Sequence, residues 1–172
     1  MTNSFKPRIY VACLAAYNNG HLHGAWIDVG EDTGEIWDQI NTMLAKSPIP
    51  DAEEHAIHDY EDFGSVRIEE YDSMQTIVRI AGFLKEHGEI GAFVLEHCCI
   101  DFDEANEMLE RYTGTHRSAA FFAEELTLET TEIPPNLAYY INYEAMARDM
   151  QMNGDIIVYD KGYQKRHIFW GH

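Results

Sequence analysis

RIYVACLAAYNNGHLHGAWIDV, residues 8–29, decides the fold of the first part of the chain. Two runs rich in β-branched and apolar residues, Arg8–Ala16 and His23–Val29, flank the turn signal Asn18-Asn19-Gly20. Such runs on either side of an Asn-Gly turn predict the two strands of an antiparallel hairpin. A further apolar run, Ala56–Phe63, predicts a third strand that returns to this hairpin.

Asp32 marks the start of a helix between the second and third of these strands. Its side chain can accept backbone N–H groups, and Glu35 three residues later completes the pattern of a capping box. Apolar residues recur at helical spacing up to Lys46, where two prolines follow and end the helix. The sequence therefore predicts a three-stranded sheet with one helix in residues 1–63.

The remaining residues alternate between helix and strand signals. Ser73 and Asp101 are N-cap candidates for helices, and His87-Gly88 separates the first of these helices from a second one over Ile90–His97. Further along the chain, strands are predicted at 112–117, 156–159 and 167–170, and helices at 118–129 and 140–152. The predicted fold class is α+β, with three small modules: a sheet with one helix at 1–63, an acidic helical module at 64–110, and an α+β module at 111–172.

The net charge is the anomaly of an otherwise ordinary composition. Hydrophobic residues make up 45%, which suits a folded protein, but 30 Asp and Glu face 12 Lys and Arg, a formal net charge of −18. Residues 28–110 hold 22 acidic and 4 basic residues, while the other positions hold eight of each. Nucleic acids and anionic membranes bind cationic groups, so the sign argues against both as direct partners. A basic protein surface is the partner that this charge favours.

Three features indicate a cytoplasmic protein. No run of about 18 apolar residues is present that would span a bilayer. Residues 1–10 lack the apolar stretch of a signal peptide. The cysteines, Cys13, Cys98 and Cys99, are odd in number and two of them are adjacent, which disfavours a disulfide framework.

Residue types that bind metals or carry catalysis occur without the spacing that such sites need. The candidate zinc ligands form three groups: His21 with His23, His55 with His58, and His97-Cys98-Cys99. None has the C-x₂-C or H-x₃-H spacing of a zinc site. The run Asp101–Asn106 lacks the glycine that a calcium loop requires at its sixth position, so a helix N-terminus is the better interpretation. We expect no catalytic residue, metal or cofactor; a hydrolase that uses Asp101 and Asp103 with a metal is one alternative.

The concentration of charge is comparable with that of duplex DNA. A duplex carries one negative charge per roughly 1.7 Å of axis, so 18 charges correspond to roughly 30 Å, or about nine base pairs. Carboxylates three or four positions apart on a helix lie about 5–6 Å apart, which is the scale of a row of phosphates. Glu86 with Glu89, and Asp103, Glu107 and Glu110, have this spacing. From the residues alone, a DNA mimic, a solvated acidic surface and a docking site for some other basic partner all remain open.

Five segments of the sequence resemble the ArdA antirestriction family. They are PRIYVACLAAYNNGHLHGAWIDVG (7–30), EHAIHDYE (54–61), FLKEHGEIGAFVLEH (83–97), YTGTHRSAAFFAEE (112–125) and YINYEAMARDMQMNGD (140–155). These segments occur in order along nearly the whole chain, and the first is the most specific. The tail, Lys161–His172, is similar to the family only loosely.

This resemblance implies an elongated, curved homodimer of three modules whose carboxylates mimic the phosphates of bent B-form DNA. The implied target is the methyltransferase core, with its specificity subunit, of type I restriction-modification enzymes; genes of this family typically travel on mobile elements. The family assigns no single indispensable residue, so the implied surface is distributed. It comprises Asp28, Glu31, Asp32, Glu35, Asp38, Asp59, Glu61, Asp62, Glu69, Glu70, Asp72, Glu86, Glu89, Glu96, Asp101, Asp103, Glu104, Glu107 and Glu110. An acidic docking or chaperone-like module for a basic DNA-binding partner is the alternative.

The dimer interface is expected where the excess charge is absent, because two chains of this charge repel each other. Residues 111–172 are near neutral and rich in aromatic side chains, which bury apolar surface at the least electrostatic cost. The predicted interface residues are Phe121, Phe122, Tyr139, Tyr140 and Tyr143.

Overall fold

The computed structural model describes residues 4–172, which contain six strands and six α-helices. The strands are β1 Arg8–Cys13, β2 Gly24–Asp28, β3 His55–Glu61, β4 Tyr112–His116, β5 Ile156–Asp160 and β6 Arg166–Trp170. The helices are α1 Leu14–Asn18, α2 Thr33–Ala45, α3 Met74–His97, α4 Phe102–Glu110, α5 Ala119–Thr130 and α6 Tyr143–Met152. The chain divides into two compact units, the first ending at Ile100 and the second running from Asp101 to His172. The predicted α+β class is confirmed.

An antiparallel sheet in the order β2-β1-β3 forms the base of the first unit. In its register Tyr10 lies opposite Trp26 on β2 and opposite Asp59 on β3. Alternate residues of β1 point to the core, and Ile9 and Val11 are fully buried there. The predicted return of a third strand to the first two is confirmed, with β1 in the centre.

The connection between β1 and β2 differs from the predicted hairpin turn. The strand ends at Cys13 rather than Ala16, because the Cys13 sulfur accepts the Ala16 N–H at 3.4 Å and starts the short helix α1. Gly20, with φ of 79°, then reverses the chain, and the His21 N–H donates to the Ala16 carbonyl at 2.9 Å. The Asn-Gly signal therefore marks the end of a short helix rather than a two-residue hairpin loop.

Helix α2 packs on β1 and β2, and α3 packs against α2 in the first unit. The Asp32 carboxylate accepts the Gly34 N–H at 2.7 Å at the start of α2, and Ser73 accepts the Thr76 N–H at 3.1 Å at the start of α3. Both predicted N-caps are confirmed. Gly88, with φ 61° and ψ −142°, interrupts the helical path inside α3, where the His87-Gly88 break was predicted.

The second unit is built on an antiparallel sheet in the order β4-β6-β5, with α5 packed against α6. Phe122, Ile156 and Ile168 form its buried centre. Helix α4 contacts β6 and so belongs to this compact unit, although the predicted module boundary lies at residue 110. Helix α6 begins at Tyr143 rather than Tyr140, because Asn142 caps it by accepting the Ala145 N–H at 3.0 Å.

None of the helices in residues 4–172 combines the length and the apolarity needed to cross a bilayer. The longest, α3, is interrupted by Gly88.

Replacing Gly88 with alanine should destabilise the protein by about 1–3 kcal/mol, because its backbone angles lie in a region open to glycine alone. Gly82 provides the matched control, since it lies in the same helix, is helical, and likewise has open space where an added methyl group would lie. Gly82→Ala should be neutral or stabilise the protein by up to about 1 kcal/mol. Urea unfolding curves of the two variants measure the difference. Equal midpoints would contradict the proposed strain at Gly88.

Candidate acidic interaction surface

The nineteen carboxylates of the predicted surface all reach solvent in the structure. Seventeen are exposed, and the other two, Asp72 and Glu89, are half-buried. Charged groups are costly to bury without a partner, so their exposure follows from their chemistry. Within residues 28–110, four Lys and Arg face 22 acidic residues, so pairing within this stretch leaves most of the negative charge uncompensated.

Helix α4 gives the clearest example of how the sequence places carboxylates in a row. Phe102, Ala105 and Met108 are buried on one side of the helix. Asp103, Glu107 and Glu110 are exposed and lie four and then three positions apart on the opposite side. The predicted spacing of about 5–6 Å between neighbouring positions is therefore available on α4.

Asp101 has a structural role at the start of the same helix. Its Oδ1 accepts the backbone N–H groups of Asp103 and Glu104, each at 3.0 Å. Carboxylates in the first turn are favoured by the partial positive charge of the helix N-terminus. Local backbone structure thus stabilises three of the acidic residues that repel one another.

Glu86 and Glu89 do not form a second helical pair. Gly88 lies between them with non-helical angles, so the spacing of a continuous helix does not apply. The predicted pairing of these two residues on one helix face is wrong. Glu86 is exposed and lies 3.8 Å from His87 Nε2.

The outer face of the first sheet combines carboxylates with aromatic side chains. Arg8 lies between Asp28 and Glu61 in the strand register and pairs with the Glu61 carboxylate at 2.6 Å. The same guanidinium lies 4.6 Å from the centre of the Trp26 ring, and Tyr10 packs beside that ring at 5.5 Å. On this face Asp28 is exposed, whereas the Arg8 guanidinium contacts the Glu61 carboxylate and the Trp26 ring.

Two pKa shifts reflect the environment of the first unit. The negative charge of Glu70 raises the pKa of the exposed Tyr71 phenol, because ionisation would place a second negative charge nearby. Partial burial and Glu54 make smaller contributions in the same direction. Burial lowers the pKa of His55, whose ring packs edge-on against Trp37 at 5.3 Å. His55 is thus half-buried against an aromatic ring, which is an ordinary structural position for a histidine.

The candidate metal ligands are not brought together. His58 packs against Tyr17 at 4.8 Å and lies 3.8 Å from Glu70, while His97 packs against Phe93. Across the part of the chain that the structure describes, no group of three His, Cys, Asp or Glu side chains is arranged to hold a metal ion.

A model of the family described as "Antirestriction protein (ArdA)" matches residues 9–165. The chain belongs to the ArdA family. The resemblance found in the sequence is confirmed, and membership supports an antirestriction role. A comparison with curated proteins gave no match.

The aromatic residues predicted to form an ArdA dimer interface differ in exposure. Tyr139 and Tyr140 are 95% and 84% exposed, and Phe121 and Tyr143 are half-buried. Phe122 is buried in the core of its own unit, where it packs edge-on against Trp170 at 5.4 Å. Phe122 is therefore excluded from the candidate interface, because its side chain is already buried within a single chain.

Sequence reasoning missed other apolar side chains that this ArdA chain exposes in the second unit. Leu137 lies just before the two exposed tyrosines in sequence, and Leu128 on α5 is 61% exposed. The sequence carried no signal for these two, because composition does not report which apolar residues stay at the surface.

The cap and the charge of Asp101 can be separated by two substitutions. Asp101→Ala should lower the free energy of unfolding by about 0.5–2 kcal/mol, because the N–H groups of Asp103 and Glu104 lose their acceptor. Asp101→Asn keeps an acceptor oxygen and should stay within a few tenths of a kcal/mol of the parent protein. Thermal and urea unfolding of both variants test this. An asparagine variant as unstable as the alanine variant would show that the charge, not the cap, stabilises α4.

Proposed function

We propose that this protein inhibits type I restriction-modification enzymes by occupying their DNA-binding site. Family membership supports the antirestriction role, and one observation supports the mechanism: none of the nineteen predicted carboxylates is buried. An enzyme that binds DNA presents Lys and Arg to phosphates, and a dense array of exposed carboxylates satisfies the same donors.

The binding energy is shared among many contacts in this proposal. An exposed ion pair contributes about 0.2–1 kcal/mol, so no single carboxylate dominates. The target surface is the methyltransferase core with its specificity subunit, where DNA is held before cleavage or modification. Inhibition is competitive, because protein and DNA need the same cationic surface.

We also propose that the chain acts as a homodimer joined through its second unit. Residues 111–172 hold eight acidic and six basic residues, so two copies approach there with little repulsion. The exposed Tyr139 and Tyr140 offer apolar area that a partner copy would cover.

A block of neutralised carboxylates tests the shared surface. The variant Asp101→Asn, Asp103→Asn, Glu104→Gln, Glu107→Gln should weaken inhibition roughly tenfold or more, because four contacts are lost while the α4 cap is kept. Single changes such as Glu107→Gln or Asp62→Asn should weaken it less than about fivefold. The measurement is the inhibition constant for cleavage of labelled DNA by a purified type I enzyme.

A matched variant removes the same charge elsewhere. Glu132→Gln, Glu144→Gln, Asp149→Asn and Asp155→Asn are four exposed positions outside residues 28–110, and their neutralisation should change inhibition little. If one substitution alone abolishes inhibition in a folded protein, the distributed mechanism is wrong. Binding to the enzyme without loss of cleavage would favour the docking-module alternative instead.

Substitution of the exposed tyrosines tests the dimer. Tyr139→Glu with Tyr140→Glu places two charges in the proposed interface and should give a monomer by light scattering, because buried charges oppose association. Leu22→Glu with Tyr71→Glu is the control, since both side chains are exposed, at 91% and 73%, and lie in the first unit, outside the proposed interface. A dimer that survives the first variant would place the interface elsewhere.

A further inference from the structure

A cavity of about 440 Å³ opens in the second unit, beside β4, α5 and β6. Its size lies within the range of about 300–1,000 Å³ that is usual for ligand pockets. Aromatic rings of Tyr112, Phe122 and Trp170 line it together with the carboxylates of Glu110, Glu125 and Glu129. All of these residues belong to one compact unit.

The aromatic wall is held in place by contacts within the unit. Phe122 is buried and lies edge-on to Trp170 at 5.4 Å and to His116 at 4.8 Å. Tyr112 is fixed by its hydroxyl, which lies 2.7 Å from His167 Nδ1. A wall of ordered rings offers π faces to a cation at little cost in side-chain entropy.

The carboxylates give the cavity a negative charge. Glu110, Glu125 and Glu129 are exposed at its edge, and Glu125 lies 3.5 Å from His116 Nδ1, while His116 Nε2 lies 3.2 Å from Thr113 Oγ1. One cation, Arg111, also lines the cavity, but it donates to the backbone carbonyls of Gly171 at 2.6 Å and Glu107 at 3.3 Å. The lining thus holds three carboxylates and one guanidinium, which is already hydrogen-bonded to backbone carbonyls, so the charge of the cavity is negative.

We propose that this cavity binds an arginine side chain of the restriction-modification enzyme that the protein inhibits. Rings and carboxylates together suit a guanidinium, which stacks on aromatic faces and forms paired hydrogen bonds with a carboxylate. This inference rests on the proposed function, in which the partner presents a basic surface. It adds a discrete pocket to the distributed surface, and it places Glu125 and Glu129, outside residues 28–110, in the contact.

Titration of the intact protein with N-acetyl-arginine amide, followed by NMR, tests the pocket. Saturable shifts should appear at the Trp170 indole N–H and at backbone amides near Glu125, and N-acetyl-norleucine amide, which has no charge, should give none. The variant Glu125→Gln with Glu129→Gln should weaken binding of the arginine probe roughly five- to tenfold. Shifts spread over the acidic surface without Trp170 would overturn the proposal.

Two controls separate the pocket from general attraction to an acidic protein. Glu132→Gln with Glu144→Gln removes the same charge from exposed positions of the same unit and should change the dissociation constant of the probe less than about twofold. N-acetyl-lysine amide should bind more weakly than the arginine probe, because an ammonium group does not pair with a carboxylate in two parallel bonds. Equal binding of the two probes would overturn the choice of arginine.

Separate experiments test the arginine pocket and the proposed function, so each hypothesis can be rejected without the other. If the parent protein inhibits the restriction enzyme but does not bind the arginine probe, the pocket inference is wrong and the antirestriction mechanism stands. If the probe binds at Trp170 but the parent protein does not inhibit, the pocket is an arginine site and the proposed enzyme is not its partner.

Discussion

Repulsion among carboxylates is the constraint that shapes this structure, because 18 net negative charges must coexist with small apolar cores. Local backbone structure offsets part of it. Asp32 and Asp101 cap helices, and Glu35, Asp103 and Glu104 lie in first turns, where the helix N-terminus favours negative charge. The same residues that oppose folding through repulsion therefore also start the helices, and their side chains remain at the surface where a basic partner can reach them.

Much of the fold was predictable because its signals are local. The caps Asp32, Ser73 and Asp101 set the starts of three helices to within a residue, since a polar side chain just before an apolar periodic run is typical of a helix N-terminus. Helix α1 was missed because its cap is the sulfur of Cys13 inside an apolar run. The need for glycine at position 171 was equally hidden, since a side chain there would overlap the Gly154 carbonyl only after the chain has folded.

The candidate site was predictable in its charge but not in its details. Exposure of carboxylates follows from the cost of burying them, so composition located the acidic stretch. Phe121 and Phe122 show the limit, because adjacent helical residues point to different sides and composition does not say which side is the core. Glu125 and Glu129 were missed for a related reason: they lie in a nearly neutral stretch, and only the tertiary packing of α5 and β6 places them beside aromatic rings.

Strand β6 shows why a loose resemblance does not mean a loose structural role. The family match ends at residue 165, yet β6 is the central strand of the second sheet, paired with β4 and β5, and Ile168 and Phe169 are fully buried. A central strand is specified by backbone hydrogen bonds and by apolar side chains of suitable size, and many sequences meet both requirements. Trp170 at its end also lines the acidic cavity. The segment outside the family match therefore completes both the core of the second unit and the wall of the proposed arginine pocket.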